Sequence, residues 1–575
     1  MDRPTLDAPR PPSPRTVAVL LGLLTAAAFA MRLAGVGFML PQQYDIHERV
    51  WLRQLELIRS GEPEPERDVD FGYYPQLVAR LAAALQDAPP AGEPATPAAH
   101  AERASADLLL LRRISALISA LIVPATWLVA RRLLSPGAAL LAAGLAGGSV
   151  LHLDLSQQAR PHAPAAALIA LAIAAAIEVA RRPTWRSYAL AGGAITLGLS
   201  VLQSTLAAVP ALLAAHVARA RGPGDPGMRG LALALLLPLL LLPFSYPFLF
   251  AVSAGHDAAE LEVAGGELRF FGHALFLERF DGAGFPILAR AFADRDPTIA
   301  ALAAAGLALL AVAAVRSRSR ALLRPRPEVA AVLGFAVPYA LVAGLYGVVY
   351  ERFALPLFPV AAVLAASAAA RLPARVFAAA AVLLVAFKTA PAAHLAVLRT
   401  RPDTLTQAAE WVEANARGPH ATVLLGPGID LPILRTEAGL ETLPERDGVP
   451  PWQRYLRSVD PLVRERDGFD LHTLLVGDPE GRELALRDAD AYVAGLGAHW
   501  VLLGMIDDRP ILGRLREALA RRGRLVARFS PYREGDPDLQ PFVSVDEAPQ
   551  RPEWWYERLL RARRLGPVVE VYALG

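Results

Sequence analysis

Cysteine is absent from the 575-residue sequence. Its absence excludes disulfide bonds, iron–sulfur clusters, thiolate zinc sites and cysteine nucleophiles. The chain also has little net charge, +3 at pH 7 with histidine neutral, so no overall basic character indicates a nucleic-acid partner. We find no internal repeat, and no spacing of His, Asp or Glu residues is typical of a metal site. We therefore predict neither a metal nor a cofactor.

Apolar residues are abundant and make up 54% of the chain, mostly in long blocks of Ala, Leu and Val. Such blocks are expected for helices that cross a bilayer, each of which needs about 20 mostly apolar residues. We predict eleven spans, at 16–38, 107–130, 135–153, 164–180, 187–203, 205–219, 230–252, 298–315, 328–349, 354–370 and 374–392. The two short blocks in the middle, 187–203 and 205–219, are also compatible with one long kinked helix.

Arginine-rich loops indicate the orientation, because cytoplasmic loops of membrane proteins are enriched in Lys and Arg. Alternate loops hold Arg131, Arg132, Arg181, Arg182, Arg186, Arg219, Arg221, Arg229, Arg316, Arg318, Arg320, Arg324, Arg326, Arg371 and Arg375. All of them lie on the side of the basic N-terminus when eleven spans are counted. We therefore predict an inside N-terminus and an outside C-terminal domain. Richness in Ala, Arg and Pro is typical of a bacterial genome of high GC content. We therefore expect a multi-pass protein of the inner (plasma) membrane, in the bacterial cell envelope.

The remaining segments divide into outer loops and a C-terminal domain. The outer loops are 40–105, which has amphipathic stretches at helical spacing, and 253–297. Beyond the last span, helical patterns alternate with short apolar strands, which is typical of an α/β domain. The predicted strands are 421–426, 499–504, 523–529 and 567–573. The sequence thus predicts a polytopic α-helical membrane region over 1–399 and a small extracytoplasmic α/β domain over 400–575.

The first outer loop holds candidate site residues. Asp45 and Glu48 follow the first predicted span. A carboxylate at a membrane exit is partly desolvated, and desolvation shifts its pKa toward the range that suits base catalysis. Tyr74, which precedes a proline, lies further along the loop and by itself indicates an aromatic anchor at the membrane interface. The plain alternative for the acids is a solvated loop.

Two later outer segments hold further candidates. The loop between the third and fourth predicted spans contains His152, Asp154, Arg160 and His162. Tyr350 and Arg352 precede the tenth span, and a guanidinium there is suited to a lipid phosphate, which it binds through two parallel hydrogen bonds. The alternatives are a solvated hairpin for the first segment and an arginine reaching toward the interface for the second.

In order and topology these features resemble the GT-C class of integral-membrane glycosyltransferases, above all its protein O-mannosyltransferase and aminoarabinose-transferase group. That group has an acid after the first span, a Tyr-Pro pair in the same loop, and an Arg-x-x-x-Pro-x-x-Pro-like stretch that opens a late span. The matching residues are Asp45, Tyr74-Pro75, and Arg352 with Pro356 and Pro359.

One feature departs from that group, which usually has a second acid shortly before a proline in the loop between spans three and four. Here His162 precedes Ala163-Pro164, and Asp154 is nearby but out of register. Without this acid, two points stay open. One is whether the loop binds the donor or the acceptor, and the other is whether the protein keeps the activity and specificity of that group.

The resemblance implies inverting transfer of a sugar from a polyprenyl-phosphate donor to a lipid, glycan or protein acceptor at the outer membrane face. It implies that Asp45 is the catalytic base, with Glu48 as the competing residue. Arg352, with Arg160, is implied to stabilise the phosphate leaving group. The residues expected around the substrate cavity are Tyr74, His152, Asp154, His162 and Tyr350.

Two other functions stay open at this point. A transporter or flippase for a lipid-linked sugar is disfavoured, because few ionisable residues lie deep within the predicted spans. A non-catalytic membrane scaffold with an extracytoplasmic binding domain is kept open by the missing second acid.

Overall fold

The structure is a computed structural model. It describes residues 12–40, 48–61, 74–86, 97–246, 267–270, 273–317, 326–416, 421–427, 429–436, 438–439, 468–475, 478–505, 510–533 and 555–574. Asp45 lies outside the described residues.

Helices dominate the first 399 residues. They are α1 (Pro14–Leu33), α2 (Arg49–Ser60), α3 (Leu77–Leu85), α4 (Pro97–Ala120), α5 (Ile122–Ala130), α6 (Pro136–Gly147), α7 (Val150–Ser156), α8 (His162–Arg181), α9 (Trp185–Leu199), α10 (Val209–Ala218), α11 (Gly227–Ser245), α12 (Gly284–Arg295), α13 (Pro297–Ser317), α14 (Pro327–Leu345), α15 (Phe358–Ala369) and α16 (Ala374–Leu398). Short 3-10 helices cover Gln203–Ala208, Leu277–Arg279 and Glu351–Leu357, and a hairpin pairs β1 (Glu267–Phe270) with β2 (His273–Phe276).

Every predicted span overlaps one of these helices. Within the described residues, seven helices are long and apolar enough to cross a membrane. They are Pro14–Leu33, Glu102–Ala130, His162–Arg181, Gly227–Ser245, Pro327–Leu345, Glu351–Ala369 and Ala374–Leu398. A bent pair, α6 with α7, is an eighth candidate, and Gln203–Ala218 and Pro297–Ala313 are shorter apolar helices. The chain is a multi-pass helical membrane protein.

Local sequence explains where several helices begin. Ser13 caps α1 and is followed by proline, and Ser135 caps α6 in the same way. Proline suits the first helical turn because its missing N–H would have no acceptor there. At the end of α6 the axis bends by 53°, and Ser149 caps the short helix α7 that follows. The bend turns α7 into the interior, where all seven of its residues are buried.

Basic loops meet at one end of the helix bundle. Arg132 forms an ion pair with Glu178 near the end of α8, and Arg181 pairs with Glu328 at the start of α14 at 3.2 Å. The amide of Ala220 donates to the carbonyl of Ala180 at 3.2 Å. These contacts bring together the loops after α5, α8 and α10, and we call this the basic end.

The opposite end collects other chain segments, and we call it the polar end. The amide of Leu77 in α3 donates to the carbonyl of Ser200 at 3.3 Å. The Ser200 hydroxyl contacts that of Ser245, the last residue of α11, at 2.7 Å. The chain therefore runs from the basic end to Ser200 and back to Ala220, so 187–203 and 205–219 are two antiparallel helices.

A five-stranded sheet follows the helical region. Its strands are β3 (Val423–Leu425), β4 (Leu471–Thr473), β5 (Trp500–Met505), β6 (Gly523–Phe529) and β7 (Val568–Leu574), in the order β4-β3-β5-β7-β6. The first three strands are parallel, and β7 is antiparallel to both β5 and β6. The helices are α17 (Thr404–Asn415), α18 (Pro479–Arg487), α19 (Ala489–Ala494), α20 (Pro510–Arg522) and α21 (Trp555–Arg561). The four predicted strands are present, and β4 was not predicted.

The segment around α21 packs against the polar end of the bundle. His394 Nε2 in α16 lies 2.9 Å from the carbonyl oxygen of Ala562. Leu559 shares a buried apolar cluster with Leu153 of α7 and Leu395 of α16. The sheet-bearing part of the chain is therefore attached beside α7. The boundary at residue 400 stays a prediction.

Candidate active site at the polar end

Asp154 lies on α7 and is 1% exposed. Its Oδ1 forms an ion pair with Arg399, the residue that directly follows α16. Arg399 Nη1 also donates to the carbonyl of Asp154 at 3.0 Å and to Gln157 Oε1 at 2.7 Å. Among the described residues, the second carboxylate oxygen of Asp154 is buried without a hydrogen-bond partner. A buried acceptor in this state can receive a proton or a hydrogen bond from a ligand.

His152 lies two residues earlier, on the opposite side of α7, and is fully buried. Arg32, at the end of α1, places its Nη2 2.9 Å from His152 Nδ1. The same guanidinium donates to the carbonyls of Ala28 at 2.9 Å and Gly147 at 3.3 Å. Because arginine only donates, Nδ1 must accept, which assigns the ring proton of a neutral His152 to Nε2.

Glu48 directly precedes α2 and is held by a bidentate ion pair. Arg112 donates from Nε and Nη2 to the two carboxylate oxygens at 2.8 and 2.6 Å. The amide of Ala159 donates to Glu48 Oε1 at 2.6 Å. Arg112 Nη1 contacts the carbonyls of Val36 and Phe38 at 2.8 and 2.7 Å. The Glu48 carboxylate therefore ties α2, α4 and the segment before Arg160 together.

Aromatic and cationic side chains from three distant segments meet beside this network. The His162 ring lies edge-on to Tyr74 at 6.2 Å and to Phe353 at 6.4 Å between centroids. Phe353 stacks with Tyr350 at 6.4 Å. The Arg352 guanidinium carbon lies 4.2 Å from the centroid of the Tyr350 ring. The structure thus brings together four residues predicted from separate outer loops.

Arg160 lies between Asp154 and His162 in the sequence and is fully buried. Its Nη1 donates to Gln158 Oε1 at 3.3 Å, and Gln158 in turn contacts Asp154 Oδ1 at 3.4 Å. Arg160, Arg295 and Arg399 all act electrostatically on the Asp154 carboxylate. Clustered guanidinium groups of this kind stabilise an anion that develops during a reaction.

Several charged residues of the polar end were not among the predicted site residues, namely Arg32, Arg112, Arg295, Asp296, Glu351, Lys388 and Arg399. Arg295 Nε donates to Glu351 Oε2 at 2.7 Å. Lys388 forms an ion pair with Asp296, and their side chains are 1% and 0% exposed. Lys388 lies in the interior of the predicted span 374–392, whose other charged residue, Arg375, is at its first turn. That position was the available signal, because an ionisable residue deep in a span is a functional hypothesis by default.

Within the described part of the chain, no group of three or more His, Asp or Glu side chains is placed to hold a metal ion.

The comparisons with known proteins cover the segment that carries these residues. Residues 105–246 match the family model for dolichyl-phosphate-mannose-protein mannosyltransferase. The range runs from α4 to the end of α11 and includes His152, Asp154, Arg160 and His162. No curated protein sequence matches the chain.

Three solved structures are also similar. The apo oligosaccharyltransferase of Archaeoglobus fulgidus is 13% identical, with coverage of 86% of this chain and 70% of that one and a TM-score of 0.45. ArnT from Cupriavidus metallidurans bound to undecaprenyl phosphate is 13% identical, with 97% and 98% covered and a TM-score of 0.42. The arabinofuranosyltransferase AftD from Mycobacteria is 16% identical, with 98% and 40% covered and a TM-score of 0.42. The family match confirms, over residues 105–246, the predicted resemblance to the protein mannosyltransferase group.

Proposed function

We propose that this chain is a membrane glycosyltransferase that moves a sugar from a polyprenyl-phosphate donor to a lipid, glycan or protein acceptor. One observation carries the proposal. Tyr74, His162 and the Tyr350–Arg352 segment lie far apart in the sequence, yet their rings and guanidinium form one cluster at the polar end. The match to mannosyltransferases that use a lipid-phosphate sugar includes His162 in that cluster.

The cations of the cluster have a chemical role in this reaction. Sugar transfer from a lipid phosphate leaves the phosphate with added negative charge, which guanidinium groups stabilise. Arg352 and Arg160 are our candidates for this contact. The isoprenoid tail would lie between helices in the bilayer, which is consistent with a site at the end of the bundle.

Asp45 is our candidate for the base that takes the proton from the acceptor hydroxyl. Glu48 is the competing candidate, and its contacts argue against it as the base. Both of its carboxylate oxygens already accept hydrogen bonds from Arg112. We expect Asp45→Asn to lower turnover by about 10²–10⁴-fold, the usual contribution of a general base.

The matched control is Glu48→Gln, which keeps the shape of the residue and removes its charge. We expect it to lower protein stability, because Arg112 loses its buried counterion. Turnover per folded molecule should fall much less than in Asp45→Asn. Full activity of Asp45→Asn together with a folded but inactive Glu48→Gln would move the base to Glu48.

We also propose that the chain crosses the inner membrane eleven times. The polar end and the C-terminal domain then lie outside the cytoplasm. Support comes from the arginine loops that meet at the basic end, since positive loops are cytoplasmic. A reporter that is active only in the cytoplasm should stay silent when fused after Gly575. An active reporter there would contradict the predicted number of spans.

A lipid-linked sugar carrier is the second candidate. The observation in its favour is the buried Lys388–Asp296 pair, since coupled carriers hold ionisable groups within the membrane. Purified protein in vesicles with a radiolabelled polyprenyl-phosphate sugar separates the two. Transfer of the label to an acceptor supports the glycosyltransferase, whereas movement of the intact donor across the bilayer supports the carrier. A scaffold would do neither.

A further inference from the structure

Arg295 and Asp296 are neighbours in the sequence and join α12 to α13. Both are buried, at 5% and 0% exposure. Their side chains bond to different segments of the polar end. Arg295 donates to Glu351 at 2.7 Å, and Asp296 accepts from the Ser149 hydroxyl at 2.7 Å. Two adjacent residues therefore contact two of the segments that carry candidate site residues, α7 and the segment that begins at Glu351.

The contact of Asp296 fixes the start of α7. Its Oδ1 accepts from the amide of Val150 at 3.2 Å, and its Oδ2 accepts from the Ser149 hydroxyl. The first amides of a helix have no acceptor within the helix, so an external carboxylate satisfies them. Because α7 is only seven residues long and carries His152 and Asp154, fixing its start fixes both side chains.

Lys388 explains how the fully buried Asp296 can keep a charged carboxylate. It reaches Asp296 from α16 as the buried counterion. An isolated buried carboxylate is strongly unfavourable, and a paired one is tolerated. The pair therefore joins α16 to the junction of α12 and α13 as well as to α7.

The contact of Arg295 fixes the other segment. Glu351 begins the 3-10 helix Glu351–Leu357 and directly precedes Arg352. The ion pair is buried, with side-chain exposures of 7% for Arg295 and 9% for Glu351. A change at Arg295 is therefore transmitted to the backbone that carries Arg352.

We infer that Arg295-Asp296 is a positioning clip that sets α7 against the Glu351–Leu357 segment, with Lys388 as its counterion. Its consequence for sugar transfer rests on the proposed function. Neither residue is assigned a contact with substrate. Misplacing a reacting group by about 1 Å can lower the rate roughly 10²-fold. Loss of the clip is therefore expected to lower kcat.

The test compares two variants from which both charges of the buried pair are removed. Asp296→Asn/Lys388→Met keeps one oxygen to accept from the Val150 amide and an NH2 group that can donate to the Ser149 hydroxyl oxygen. Asp296→Ala/Lys388→Met removes both contacts. We expect kcat for sugar transfer to be about tenfold lower in the alanine variant than in the asparagine variant, with donor KM within about threefold. Arg295→Gln should show the reverse split, raising donor KM about tenfold with a smaller change in kcat.

The control is an ion pair at the basic end. Arg132→Gln/Glu178→Gln removes a partly exposed pair and should leave kcat and donor KM unchanged. A merely structural role of Asp296 would give the alanine and asparagine variants the same kcat per folded molecule. That result would overturn the clip.

Hydrogen exchange of the full-length protein tests the clip without using activity. Amides of 150–156 should exchange faster in the alanine variant than in the asparagine variant, while 351–357 stays protected. Arg295→Gln should show the opposite pattern. If the alanine variant does not fold, Ser149→Ala, which removes one of the two groups bound by Asp296, should show the same change in 150–156 to a smaller extent.

The two proposals fail in different ways. Absence of transfer by the wild-type protein, with the expected exchange patterns, would refute the proposed function and leave the clip intact. Unchanged exchange in both segments, with normal transfer, would refute the clip alone.

Discussion

The two ends of the helix bundle both carry ion pairs, but they differ in burial. At the polar end the Arg112–Glu48 pair has side-chain exposures of 2% and 1%, and Lys388–Asp296 has 1% and 0%. At the basic end Arg132–Glu178 has 24% and 31%, and Arg181–Glu328 has 32% and 20%. Pairs of basic and acidic side chains are therefore buried at the polar end and partly exposed to solvent at the basic end.

This difference separates two roles for charge in a membrane protein. Exposed ion pairs add little to protein stability, because water and salt screen their attraction. Their arginines serve mainly to orient the chain in the membrane. Buried pairs carry a desolvation penalty that Coulomb attraction alone offsets poorly. A membrane protein that nevertheless buries several of them at one end has a function there that needs fixed charges.

The largest expected effect is the removal of one partner of a buried pair. Arg112→Met leaves the Glu48 carboxylate buried without its bidentate donor. Breaking a buried pair in this way costs about 3–5 kcal/mol. Arg132→Met at the basic end should cost less than about 1 kcal/mol. Thermal unfolding of both variants in the same detergent measures the contrast, and equal losses would refute the distinction between the ends.

A second contrast uses two glycines with positive φ. Gly35 has φ +79°, and a Cβ added there would lie 2.5 Å from Arg399 Cβ. Gly224, near the basic end, has φ +84° and no atom within 4 Å of an added Cβ. Gly35→Ala should therefore cost roughly 2–4 kcal/mol, from a left-handed backbone plus a steric clash. Gly224→Ala should cost only the backbone part, about 1–2 kcal/mol.

Unfolding free energies of the two alanine variants decide this point. If both variants lose the same stability, the segment after α1 is not packed tightly against Arg399. The short distance between Gly35 and Arg399 would then not contribute to stability.

The sequence predicted the helices well because hydrophobic runs are a local signal. All eleven predicted blocks overlap helices, and four of the five strands of the sheet were predicted. The missed strand, β4, has only three residues, Leu471–Thr473. So short an apolar stretch carries no usable periodicity.

The candidate site was predictable only in part. Tyr74, His162 and Arg352 were expected near one another because each lies at a membrane exit on the same side. The ionic partners were not, since packing rather than spacing chooses them: Arg112 pairs with Glu48 across 64 positions and Arg399 with Asp154 across 245. Asp154 was judged out of register, yet it lies within the buried network.

The most direct test of this account measures binding of polyprenyl phosphate to two arginine variants. Arg352→Ala removes a guanidinium at the polar end, and Arg371→Ala removes an exposed one in an arginine-rich loop. A hydrogen bond to a charged group contributes about 1.5–3 kcal/mol, so Arg352→Ala should weaken binding roughly 10–150-fold. Arg371→Ala should leave the affinity unchanged. Equal affinity of a folded Arg352→Ala and the wild-type protein would contradict a phosphate site at the polar end.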